Sequence, residues 1–167
     1  MTLGLSVATF TLLHVIISLI GIVTGLVVMV GLLKSRPIPG WTGAFLLTTI
    51  LTSVTGLMFP VEKLLPSHVI SIISLVLLAI ACLALYGQKL AGHWRWIYVV
   101  TAMTSLYLNI FVLVIQSFLK VPPLHALAPS VPPSEPPFAI VQGIVLVLFV
   151  VLTFMAVRRF RPLGMNM

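Results

Sequence analysis

The sequence predicts an all-α fold, a polytopic transmembrane bundle of five helices with the N-terminus outside and the C-terminus cytoplasmic. Three observations carry this. Of 167 residues, 60% are hydrophobic and 7% charged, with a mean hydropathy of +1.27; soluble domains carry about 25% charged residues. The apolar residues gather into five runs, each near the ~20 residues that a helix needs to cross a bilayer. The nine Lys and Arg fall between or after those runs and do not share one polar face. Five spans use about 100 residues and leave only short loops and tails. An ordinary globular enzyme, a secreted disulfide scaffold and a disordered chain are therefore excluded.

The first span covers residues 9–33. It has no basic stretch before it and far exceeds the roughly 7 to 15 apolar residues of a signal peptide, so it should stay as a helix. Two prolines and a glycine, Pro37, Pro39 and Gly40, mark its end. The second span, 41–59, stops before Pro60, and Pro66 precedes the third, 68–87. A polar connector from Gly87 to Arg95 leads to the fourth span, 96–119. The connector 121–137 holds seven of the twelve prolines, which predicts extended or polyproline-like chain without helix. It reads either as a partly apolar lid over the outer end of the bundle or as a solvated linker. The fifth span is 138–158, giving one integral membrane domain over 1–167.

Lys34, Arg36, Lys89, Arg95, Arg158, Arg159 and Arg161 lie on one side of this scheme, and only Lys63 and Lys120 on the other. Cytoplasmic loops carry the excess of Lys and Arg, which sets the orientation. Trp41, Trp94 and Trp96 fall at the same boundary as the larger group, where amphipathic rings prefer to sit. Cations so placed attract anionic lipid headgroups at the cytoplasmic face, each by about 1 kcal/mol. Scattered between spans, they form no footprint for nucleic acid. A homo-oligomer or a membrane-complex partner stays open.

In hydrocarbon, polar side chains should face other helices or a cavity. Thr101, Ser105, Asn109 and Gln116 lie within roughly 80° of one another on the fourth helix. Thr48, Thr52, Thr55 and Gly56 share an arc of the second, and His14, Ser18, Gly21 and Gly25 one of the first. Gly21 and Gly25 have the small-xxx-small spacing that admits a neighbouring backbone. Hydroxyls can satisfy themselves on their own helix, whereas the amides of Asn109 and Gln142 cannot. The expected outward-facing polar pocket comprises Ser18, Thr48, Thr52, Ser105, Asn109, Gln116 and Gln142. His14 and His68 fall at matched depth near the outer ends of helices one and three. They would approach one another if those helices were neighbours, and bis-imidazole ligation of a b-type haem is then the alternative reading. His93 and His125 add no second pair, and Cys82 alone makes neither an intramolecular disulfide nor a cysteine metal cluster.

Catalytic signatures are missing: no G-x-S-x-G, no H-E-x-x-H, no phosphate loop, and no Asp in the chain. Glu62 and Glu135 both fall in outer loops, which argues against a carboxylate proton relay. The expected function is non-enzymatic, the binding of a small ligand or a membrane partner through the outer pocket. The further alternatives are haem or redox association, and a structural subunit of a membrane complex.

The stretches GAFLLTTILTSVTG, HWRWIYVV, YLNIFVLVIQSFLKVP, LHALAP and SEPPF resemble a group of small, uncharacterised bacterial inner-membrane proteins. The likeness covers most of the chain from the first span to Pro162. It implies a multi-pass protein of the bacterial inner membrane and carries no activity with it. Histidines near the outer helix ends are also similar, at the level of fold only, to membrane proteins that handle haem.

Overall fold

Prolines and caps set the helix boundaries. The computed structural model describes Gly4, residues 6–59 and residues 66–162. The helices are α1 (Val7–Leu33), α2 (Pro39–Leu57), α3 (Pro66–Cys82), α4 (Trp94–Lys120), the short α5 (Pro122–Leu127) and α6 (Pro136–Arg159). The Ser6 hydroxyl accepts from the Thr9 amide to open α1. α2 and α6 begin two residues earlier than their apolar runs because Pro39 and Pro136 fit the first turn, where an amide would be unsatisfied anyway.

The end of α1 folds back on itself. Arg36 N–H donates to Gly31 O at 2.9 Å and Ser35 N–H to Leu32 O at 3.2 Å, with Ser35 at φ 53°. This is the Schellman closure, with serine where glycine is usual. Ser35 also accepts from the Arg161 amide at 2.7 Å, so the same residue ties the α1–α2 turn to the C-terminal tail. α3 leaves through a π turn at Leu83–Gly87.

The proline-rich connector departs from expectation. Pro122 and Pro123 open the α5 turn rather than preventing it, for the same first-turn reason. α5 folds against the end of α4, with His125 Nδ1 3.2 Å from Phe118 O, and Phe118 meets Phe138 of α6 edge-on at 5.5 Å.

α1, α2, α3 and α4 form a ring in which each packs on the next and α4 closes on α1; α6 lies outside, against α4 and α1. α1 and α3 sit diagonally across this ring and are not packed neighbours. Among the described residues, five helical segments are long and apolar enough to cross a membrane, the third of them running on through the π turn to Gly87. The protein is an all-α, multi-pass membrane bundle. Its two halves are packed differently. Toward the end carrying Lys34 and Arg95, Val28, Leu32, Phe45, Leu78, Tyr98 and Met103 fill a dense core. Toward the α5 connector, hydroxyls replace these large groups and the interior opens.

Candidate functional site

The opening is a cavity of about 570 Å³ enclosed by α1 to α4 at the connector end. That lies within the ~300–1,000 Å³ typical of sites for small organic ligands. Its closed bottom is set by glycines. A Cβ on Gly25 would stand 2.5 Å from Leu106 Cδ1 and 2.9 Å from the Phe45 ring, and one on Gly21 3.2 Å from Thr49 Oγ1. The small-xxx-small pair thus brings α1 onto α2 and α4.

At the floor, Ser18 Oγ donates to Asn109 Oδ1 at 2.9 Å across the α1–α4 contact. Asn109 Nδ2 makes only a 3.5 Å contact to Ser18 O, which leaves donor capacity there. Thr49, 1% exposed, is a cavity residue whose hydroxyl packs beside Gly21 and has no hydrogen-bond partner among the described residues. Its neighbours Thr48 and Thr52 instead donate to Ala44 O and Thr48 O of their own helix, at 2.7 and 2.8 Å.

Toward the mouth, His14 Nδ1 lies 2.7 Å from Thr55 Oγ1. Thr55 directs its hydroxyl hydrogen to Leu51 O at 2.7 Å, so the imidazole Nδ1–H is the donor and Nε2 is left as an acceptor. Phe59 closes edge-on against the His14 ring at 5.2 Å. His68, buried at the start of α3, lines the same cavity. Gly56 makes room between helices here. A Cβ on it would be 2.8 Å from Ser71 Oγ and 3.6 Å from His14 Cε1.

Of the expected pocket residues, Ser18, Thr52, Asn109 and Gln116 line the cavity. Three do not. Thr48 turns to its own helix beside Gly21, and Ser105, fully buried, donates to Thr101 O at 2.9 Å below the floor. Gln142 lies on the opposite side of α4, where its Nε2 donates to Phe111 O at 3.0 Å in the α4–α6 contact. The lid reading fails as well: among the described residues, no cavity wall comes from the connector beyond Val121. Glu62 and Lys63 lie outside the described residues.

The sequence reading missed Thr49 and Ser53 on α2 and Ser67 and Ser74 on α3, all of which line the cavity. Their spacing was a usable signal. Thr49, Ser53 and Gly56 recur at four and three residues, as do Ser67, Ser71 and Ser74, which places each set on one helix face. No group of three or more His, Cys, Asp or Glu side chains suited to a metal ion occurs among the described residues. His14 and His68 share the cavity from diagonal helices, with Gly56 of α2 set between His14 and Ser71 of α3. No family model, no curated protein and no solved structure matches the chain.

Proposed function

We propose that this membrane protein is a non-enzymatic binder of a small ligand, held in the cavity at the connector end. The observation that carries the reading is the cavity itself. A bundle selected only for stability would fill such a space, since voids forfeit contact energy at about 24 cal/mol per Å³. Here the void is lined by hydroxyls, two amides and two imidazoles, the convergent polar groups of a binding site. The resemblance noted in the sequence supports a bacterial inner membrane, and the bias of seven cations against two supports a connector end that faces outward.

The test is extraction and mass spectrometry of small molecules retained by the full chain purified in mild detergent. A molecule held by wild type at near one per chain should be lost from Val112→Trp and Thr52→Phe, which fill the cavity. Equal retention by the filled variants would mean surface lipid only and would sink the reading. A Soret band in the same preparation would favour haem on His14 and His68 instead.

A further inference from the structure

We infer that the ligand reaches this cavity sideways from the bilayer, between α1 and α4, and is an uncharged amphiphile: a hydroxyl- or carbonyl-bearing head with an apolar tail. The inference rests on the cavity being a ligand site and adds the class of ligand and its route.

The route follows from how α1 and α4 part company. Leu106 on α4 is 1% exposed, wedged against Gly25 of α1. Leu113, seven residues on and on nearly the same face, is 38% exposed although it lines the cavity. α1 shows the same change over the same distance: Ile22 is 7% exposed and Val15, a cavity residue, 38%. The two helices are therefore closed below the Ser18–Asn109 bond and parted above it. α6, which packs on both, supplies no cavity wall among the described residues. An apolar seam of Val15, Leu19 and Leu113 thus leads from the lipid-facing surface to a polar floor.

The head chemistry follows from the floor and the mouth. Asn109 Nδ2 offers a donor and His14 Nε2 an acceptor. Among the described residues, no carboxylate lines the cavity to balance a cationic head. Among the described residues the one cation lining it, Lys120, stands at the rim, about 16 Å along the helix from Asn109 at 1.5 Å per residue. An oxygen-bearing neutral head satisfies the floor, and its tail leaves over the seam.

The test uses the full chain in lipid nanodiscs and a monoacylglycerol carrying a diazirine in its acyl chain. Photolabelling should be saturable, map to α1 and α4 around Leu19 and Leu113, and be displaced by unlabelled monoacylglycerol. Asn109→Leu should weaken half-saturation about tenfold, the effect of one ordinary hydrogen bond. Leu19→Trp and Leu113→Trp, at exposed positions that should not impair folding, should block labelling while the floor stays intact. Displacement by the matching fatty-acid anion better than by monoacylglycerol would overturn the uncharged head. Unchanged labelling in both Trp variants would overturn the route and leave the cavity reading standing. Non-saturable labelling, together with no retained molecule in wild type, would remove both.

Discussion

Asn109 is the residue on which the two halves of the bundle meet, since its amide joins α4 to Ser18 of α1 where the packed core gives way to the cavity. Leucine has similar bulk and cannot make the bond. Asn109→Leu should lower stability in detergent by about 1–2 kcal/mol, because the Ser18 hydroxyl also loses its partner. Combined with Ser18→Ala the losses should fall short of additive; fully additive losses in thermal unfolding would mean the two side chains do not interact. Asn109 was legible from sequence because a primary amide cannot be satisfied by its own helix. Thr48 and Ser105 misled because a hydroxyl can be, and a stripe at 100° per residue gives facing without telling whether a cavity lies at that depth. Outside the membrane, the Ser130 hydroxyl, with the Ser134 and Ser130 amides, holds the Glu135 carboxyl down to about 2 from its usual 4.5. A depressed folded value means this support for the turn is fully present above the ordinary pKa and is lost as pH falls through about 2. Side-chain carboxyl NMR should show that low midpoint, and Ser130→Ala should raise it. An unmoved midpoint would assign the effect elsewhere.

Helix packing explains which elements could be foreseen. Five apolar runs were plain because hydrocarbon thickness imposes a length, and their order followed from the breaks. Which helix sits against which was not, because Gly21 and Gly25 announce a close approach without naming the partner. Here it is Phe45 of α2 and Leu106 of α4 that fill the space beside Gly25. Gly25→Val should therefore cost about 1–3 kcal/mol by overpacking. Gly143→Val on α6, where a Cβ meets nothing within 4 Å, should be tolerated. Equal thermal stability of the two variants would place α1 elsewhere in the bundle. The outer helix α6 is held at its far end by charge. Arg95 Nη1 donates to Val157 O at 2.9 Å and Phe160 O at 2.6 Å, a cation on carbonyls freed by the helix terminus. Arg95→Met should raise hydrogen exchange at the amides around Phe160 and leave Phe138 to Gln142 unchanged. Uniform exchange along α6 in the variant would mean that the helix detaches as a unit, and that the carbonyl clamp is not a local fastening.

At the scale of the whole molecule, asymmetry is the organising feature, and its charge component is legible in the sequence. The seven cations Lys34, Arg36, Lys89, Arg95, Arg158, Arg159 and Arg161 belong to the densely packed end, and the cavity belongs to the other. Charge and cavity segregate because they answer to different solvents. Exposed tryptophans at the starts of α2 and α4, Trp41 and Trp96, stand at the cation end, where an interfacial belt would hold them. What the pattern left undetermined was the interior of the connector half, since Ser and Thr at helical spacing suit a tight hydroxyl contact and a cavity wall alike. Membrane orientation is the expectation on which an outward cavity depends, and it rests on seven cations against two. A reporter active only in the periplasm should be silent when fused after Gln88, on the cation side, and active at Ser130, in the connector. Moving charge should move topology with it. Adding lysines to the connector while replacing Lys89 with Gln erodes the bias, so the Ser130 fusion should lose part of its activity and the Gln88 fusion gain some. An active Gln88 fusion and a silent Ser130 fusion in the unaltered chain would turn the bundle over and open the cavity to the cytoplasm. The side-chain geometry of the site would be unchanged, and amphiphiles would then reach the α1–α4 seam from the inner leaflet.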